Sequence, residues 1–325
     1  MSYSLADKLV IGISARALFD MTRENDIYEK QGLKAYCDWQ IAHEKEILKP
    51  GPGFELVKSL LSLNECSQGE EPVEVVLMSH NSPDISLRIF HSIAHYGLGI
   101  TRAVFASGSS LIPYLQAFQT DLFLSSCEKD VQSAIDNGYA AGVIYTSYEN
   151  VANVIYPFAG SGSIKLAFDA DAVLFSDESE RIFRQSGLRA FEENECRYVD
   201  KPLEPGPFAG FLKKVSGLRK LSAKADEKIR IALVTSRCAP AHERVIKTLR
   251  TWGVKIDEAF FLGGISKKEV LRAFGAQIFF DDQQVHLESA AKVVPVARVP
   301  YLSRKREQIQ DEIQTYRSGE IPGTA

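Results

Sequence analysis

Residues 73–134 lie over residues 229–290 without a gap, and the overlay makes 14 of 62 positions identical, where unrelated segments of ordinary composition would share about four. The shared positions include Arg88 with Arg244, Gly97 with Gly253, Phe105 with Phe261, Gly108 with Gly264, Leu115 with Leu271 and Phe118 with Phe274. Matched glycines, aromatic residues and leucines preserve a backbone and a core, so the repeat constrains the fold before it says anything about chemistry. One residue out of that phase, Gly32-Leu33-Lys34-Ala35-Tyr36 matches Gly187-Leu188-Arg189-Ala190-Phe191, and Lys49-Pro50-Gly51-Pro52 matches Glu204-Pro205-Gly206-Pro207. Each Pro-Gly-Pro run opens a helical pattern: Phe54, Val57, Leu60 and Leu61 in the first copy, Phe211, Leu212, Val215 and Leu218 in the second. Ala159-Gly160-Ser161-Gly162-Ser163 reads as a flexible linker, which predicts one copy over residues 1–158 and another over 159–325.

A chain of 325 residues accommodates two such domains, each able to bury its own core. With 45% hydrophobic and 25% charged residues and a net charge of −4, the composition is that of a packed globular protein and gives no reason to expect nucleic acid or a membrane as partner. The cysteines Cys37, Cys66, Cys127, Cys196 and Cys238 are odd in number and contain no Cys-x-x-Cys pair, against a disulfide framework or a zinc site. The opening residues lack the charged-then-apolar plan of a signal peptide, and no apolar run approaches the roughly 20 residues that span a bilayer, so a cytoplasmic location is expected. A homo-oligomer is compatible with the sequence. The charged tail from Arg304 to Arg317 has no broad apolar face and reads as a solvated helix or frayed end.

The second copy carries the chemistry. Ile164 to Phe168 reads as a buried strand that delivers Asp169 and Asp171 at its carboxyl end, where open α/β sheets bind ligands and where acids beside a hydrophobic strand need a counter-charge, a metal or solvent. Lys228 to Val234 is a strand stopping at Thr235-Ser236-Arg237; Gly263-Gly264-Ile265-Ser266-Lys267 opens a helical pattern; Ala276 to Phe280 is a strand stopping at Asp281-Asp282. Paired acids predict a cation site.

In that order these segments resemble the four motifs of the haloacid dehalogenase-like phosphohydrolases. Phe168-Asp169-Ala170-Asp171-Ala172-Val173-Leu174-Phe175-Ser176-Asp177-Glu178, Pro205-Gly206-Pro207-Phe208 and Phe261-Leu262-Gly263-Gly264 are similar to the cytosolic 5'-nucleotidase type I family. The resemblance implies two tandem doubly wound, Rossmann-type parallel-sheet domains with a small helical cap over about 176–204. It implies Mg²⁺-dependent hydrolysis of nucleoside 5'-monophosphates, AMP foremost, through an aspartyl-phosphate. By the same resemblance Asp169 is the nucleophile and Asp171 the acid and base; Thr235 and Lys267 hold the phosphate. Mg²⁺ is held by Asp169, the Asp171 backbone carbonyl, and Asp281 with Asp282 close by. Arg237 is a candidate for phosphate or base, Ser236 could take the place of Thr235, and Lys268 competes with Lys267; Arg181, Phe183, Arg184 and Phe191 are candidates for sugar or base, though an ordinary amphipathic helix is the plainer reading of their spacing. His242 and His286 read as surface or supporting histidines.

The first copy serves as an internal control. Its first strand, Leu9 to Ile13, delivers Ser14-Ala15-Arg16 in place of Asp169-Ala170-Asp171; Leu111 stands opposite Lys267, Ser125-Ser126 opposite Asp281-Asp282, and Ser79 opposite Thr235. Without carboxylates, and with Arg16 adding positive charge, this half repels Mg²⁺ and is expected to be catalytically silent. Three roles remain open for it: a structural role, a nucleotide effector site built on Ser14, Arg16, Ser79 and Asn81, or donation of Arg16 or Asn81 to a site shared with the second half. Alternatives for the whole chain are a phosphatase or phosphotransferase acting on another small phosphate ester, and a nucleotide sensor without turnover.

Overall fold

The computed structural model describes residues 4–65, 71–145, 163–221 and 223–303, so the linker residues 159–162 and the tail from Arg304 lie outside the described residues. In chain order the strands are β1 (Leu9–Ser14), β2 (Phe19–Asp20), β3 (Lys49–Pro50), β4 (Val73–Ser79), β5 (Arg102–Phe105), β6 (Leu122–Ser125), β7 (Ala140–Ile144), β8 (Ile164–Phe168), β9 (Ile229–Thr235), β10 (Glu258–Phe261), β11 (Ile278–Asp281) and β12 (Val296–Arg298). Apart from the small β2-β3 pair they form one sheet, in the order β10-β9-β8-β11-β12-β7-β6-β1-β4-β5. Nearly every residue of β1, β4, β8 and β9 is buried, the unbroken apolar run that parallel strands covered on both faces require.

Each half runs third-second-first-fourth-fifth with every neighbour parallel, the doubly wound order. The strands of the second half begin 155 or 156 residues after those of the first. The repeat extends to backbone detail: helix Thr22–Ala42 breaks at Gly32 (φ 84°, ψ 179°) and helix Glu178–Arg197 at Gly187 (φ 80°, ψ 179°). Only glycine takes that conformation without strain, which is why both positions of the Gly-Leu motif carry it. The segment expected as a cap, about 176–204, contains this broken helix, and the first half has its counterpart.

The halves join where β7 and β12 pair antiparallel, Ile144 with Ala297 and Val143 with Arg298. Gly142 permits the seam, because a Cβ there would stand 3.0 Å from the Cβ of Ala297. One buried apolar cluster takes in Ile11, Leu77 and Leu124 of the first half with Leu166, Phe168 and Phe280 of the second, and another, with Val234, Leu271 and Phe279, belongs to the second half alone. The antiparallel seam also sends the carboxyl ends of the two sets of strands to opposite edges of the sheet. A shared site completed by Arg16 or Asn81 is thereby excluded within one chain, since both residues follow strands of the first half, β1 and β4, and lie at the far edge.

The Pro-Gly-Pro runs now have a physical cause. A Cβ on Gly206 would lie 2.3 Å from the carbonyl oxygen of Phe175, and one on Gly51 2.8 Å from the carbonyl carbon of Phe19. Gly206→Ala is expected to lower stability by about 2–3 kcal/mol, an overpacking cost, read as a fall in the urea midpoint at unchanged slope. An unshifted midpoint would mean that the loop yields freely.

Candidate active site

The strand order of the second half reverses between β8 and β11, and Asp169 and Asp281 stand at the carboxyl ends of those two strands. The Asp169 amide donates to the Phe280 carbonyl at 2.8 Å, which pins the start of the loop to its neighbour. Between the carboxylates lies Lys267, whose Nζ is 2.9 Å from Asp169 Oδ1 and 2.7 Å from Asp281 Oδ2. All three are buried, Asp169 at 5%, Lys267 at 2% and Asp281 at 0% exposure. Burial pushes the Asp169 carboxyl up to about 7, with Lys267 opposing and the Asp281 carboxylate adding to the rise. Burial also disfavours the ammonium of Lys267, but Asp169 and Asp281 outweigh it and hold the lysine above its ordinary range. Asp281 is held below the ordinary carboxylate range: burial works against this, and Lys267 with His286 overcomes it.

After Asp169 the chain makes a wide turn in which the Phe175 amide donates to the Ala170 carbonyl, and Ala172 takes φ 58°. The matching turn of the first half is one residue shorter, with Phe19 donating to Ala15. Such one-residue expansions of a helical turn gather at functional sites. Here the turn carries Asp171, which Arg237 grips with two bonds, Nε to Oδ2 at 2.8 Å and Nη2 to Oδ1 at 2.6 Å. The third arm of Arg237 donates to Glu195 Oε2 at 2.6 Å, while Arg244 Nη1 and Ser179 Oγ donate to Glu195 Oε1 at 3.1 and 2.9 Å. The guanidinium lies 5.3 Å from the ring centre of Phe191. Thus Arg237, a candidate for phosphate or base, is engaged with Asp171 and Glu195. Arg184 is bound to Glu180 and Tyr301, and Phe183 packs edge-on against Phe191.

Thr235 is buried at the end of β9, and its Oγ1 accepts the Arg237 amide at 3.1 Å, which leaves the hydroxyl proton available to a ligand. Ser236 is exposed beside it. His242 packs against Phe261, with its Nδ1 buried and without a hydrogen-bond partner among the described residues.

Asp282 Oδ2 is hydrogen-bonded to the Tyr301 hydroxyl, which also lies 2.8 Å from Glu180 Oε2. Burial, with the Asp169 and Asp281 carboxylates adding, raises Asp282 to about 8. Its Oδ1 is buried without a partner among the described residues. The ligand atoms of Asp169, Asp281 and His286 all lie within 4.8 Å of one another. His286 Nδ1 is 3.2 Å from Asp281 Oδ2, where it orients that carboxylate. Asp169 and Asp281 offer buried carboxylate oxygens, and the unpartnered Oδ1 of Asp282 follows next in the chain; hard oxygen donors of this kind fit Mg²⁺.

Sequence reasoning missed Glu195, Glu180 and Tyr301. Glu195 stands opposite Gln40 in the repeat, and the buried acid has changed place between the halves: Arg88 pairs with Glu24, opposite Ser179, whereas Arg244 pairs with Glu195. Tyr301 lies past the aligned stretch and carried no signal.

The fold and the site together define a doubly wound α/β protein with a carboxylate–lysine centre at the switch point of one half. A model of the family described as 5'-nucleotidase matches residues 1–306, and human cytosolic 5'-nucleotidase 1B is 38% identical over 299 residues, 89% of this chain and 48% of that protein. The chain belongs to the 5'-nucleotidase family, and it spans about half the length of that curated relative. No solved structure matches it. Among the described residues no helix is long and apolar enough to cross a membrane.

Proposed function

We propose that this chain is a Mg²⁺-dependent 5'-nucleotidase that converts nucleoside 5'-monophosphates, AMP foremost, to nucleoside and phosphate. The observation that carries the reading is the buried Asp169–Lys267–Asp281 cluster at the strand ends with Asp171 clamped next to it. Asp169 attacks phosphorus as the bond to the ribose oxygen breaks, and Asp171 delivers a proton to that oxygen. Water then attacks the aspartyl-phosphate, Asp171 takes the water's proton, and Asp169 is regenerated. Lys267 and the Thr235 hydroxyl neutralise and orient the phosphate oxygens. Arg237 holds the plane of Asp171 through both proton transfers, and Glu195 holds Arg237. Asp169 and Asp281, with Asp282 beside them, would hold Mg²⁺, which supplies charge neutralisation on the transferring phosphate.

The test is release of inorganic phosphate from AMP, IMP, CMP and UMP with millimolar Mg²⁺. Release from at least one nucleotide, abolished by EDTA, is expected; silence on all four would refute the reading, and release confined to other phosphate esters would move the chain to another phosphatase class.

The raised carboxyls give a pH signature. Asp169 and Asp282 hold protons in the metal-free fold that the unfolded chain releases near its ordinary value of 3.8. Folded protein therefore binds more protons between about 4 and about 8, and metal-free stability falls as pH rises through that window. Urea unfolding in EDTA is expected to show a lower midpoint at pH 8 than at pH 5, with Mg²⁺ restoring most of the difference at pH 8 because the cation takes the place of those protons. A midpoint that climbs with pH in EDTA would contradict the assignment.

A further inference from the structure

The first half keeps the crevice and inverts its charge. Its strand order also reverses between β1 and β6, which places Ser14 and Ser125 where the second half has Asp169 and Asp281. The second half brings Asp169, Asp171, Asp281 and Asp282 to its strand ends against Lys267 and Arg237. Their counterparts Ser14, Arg16, Ser125, Ser126, Leu111 and Asn81 carry one positive charge and no negative one. Leu111 is buried at 3% exposure, so no side-chain cation fills the lysine position. At the mouth Asp130 is already bound to His80, 2.9 Å away.

The hydrogen-bonding inventory of this crevice is one-sided. Ser14 Oγ accepts the amides of Ala17 at 3.2 Å and Ser126 at 3.4 Å, Ser79 Oγ accepts the amide of Asn81 at 3.1 Å, and Ser125 Oγ accepts the amide of Cys127 at 3.1 Å. None of the three hydroxyls donates to any atom among the described residues, although Ser79 and Ser125 are buried. Asn81 Oδ1 accepts from Tyr36, itself held by Gln40, and this fixes the amide so that its buried Nδ2 points without a partner among the described residues. Arg16 is exposed and makes no ion pair among the described residues. A buried donor left without an acceptor costs about 1–3 kcal/mol, so the hydroxyl protons of Ser79 and Ser125 and the Asn81 amide call for an acceptor, and the half-buried Ser14 and the exposed Arg16 at the same strand ends add a donor and a positive charge that favour an anion.

We propose that the crevice at the carboxyl ends of β1, β4 and β6 binds the phosphate of a nucleotide without a metal ion, through Arg16, Asn81 Nδ2 and the hydroxyls of Ser14, Ser79 and Ser125. The site lies at the sheet edge opposite the Asp169 centre, so one chain holds two phosphates at once, one with a cation and one without. It does not depend on turnover in the second half.

Equilibrium binding of AMP, inorganic phosphate and adenosine to the full chain in excess EDTA tests it. AMP and inorganic phosphate are expected to bind and adenosine to bind at least tenfold more weakly than AMP. Arg16→Ala is expected to weaken AMP at least tenfold, the loss of a charge-assisted contact, and Ser79→Ala several-fold; Asp169→Asn should leave this binding in place. Because Arg16 is exposed, its substitution does not endanger the fold. Absence of phosphate-dependent binding in EDTA would overturn the proposal, as would Arg16→Ala binding AMP as tightly as the parent chain, or adenosine binding as well as AMP. Failure here leaves the nucleotidase reading intact, since that reading is judged by phosphate release with Mg²⁺.

Discussion

Asp169→Asn is expected to lower phosphate release from AMP by a factor on the order of 10⁴ or more while leaving the chain folded. The amide keeps the shape of the carboxylate and can still accept from Lys267, so the packing around β8 has no cause to change. What is lost is the charge on which the proposed nucleophilic attack depends. Asp281 cannot take over, because it is buried at 0% exposure, bound to Lys267 and His286, and accepts the Gln283 amide through its other oxygen at 2.8 Å. The comparison is made at saturating AMP and Mg²⁺ with far-ultraviolet circular dichroism as the control for folding. A variant that keeps even a tenth of the parent rate would remove Asp169 from the chemistry.

Lys267→Met is expected to be the most damaging single change for metal-free stability, at about 3–5 kcal/mol, because it leaves two buried carboxylates facing each other with no cation. Methionine fills most of the volume of the lysine stem, so the loss is electrostatic. Phosphate release should also fall, by a factor on the order of 10²–10³, through the missing charge on the phosphate oxygens. The distinguishing feature is the response to Mg²⁺: added cation should raise the unfolding midpoint of the variant more than that of the parent chain, because the ion then does alone what lysine and ion do together. Equal Mg²⁺ shifts in the two proteins would argue that the ion sits elsewhere.

Much of the fold was legible because a duplicated chain repeats its constraints. Gly32 and Gly187 mark one backbone conformation, and Gly51 and Gly206 one close approach, so each copy annotates the other. The strand-end positions of Asp169, Thr235 and Asp281 followed from apolar runs that stop at polar residues, and Lys267 from its place before a helix. The joining of the halves was not legible. It rests on short edge strands, β7 and β12, whose pairing direction no periodicity encodes, and it decides that the two crevices open at opposite edges. The Arg237–Glu195 support of Asp171 was hidden for a similar reason, since residues 171, 195 and 237 meet only through tertiary packing. Asp282 illustrates the limit of adjacency: it follows Asp281 in sequence, yet the strand's alternation turns it toward Tyr301 and Glu180, and only its Oδ1 remains for a cation.

The charge pattern of the two halves gives the duplication a physical meaning. One crevice gathers carboxylates and needs a cation to tolerate phosphate, whereas the other has shed them and presents donors. On the two readings proposed above, the same scaffold would support covalent chemistry at one edge and simple anion recognition at the other, with the sheet between them.

Chemical trapping of the intermediate tests the central claim most directly. The full chain is mixed with AMP and Mg²⁺, quenched during turnover and treated with borohydride, which reduces an acyl phosphate of aspartate to homoserine, and peptide masses then locate the change. Conversion at Asp169 and at no other carboxylate is predicted; rapid phosphate release with Asp169 unmodified, or conversion at a residue of the first half, would contradict the account.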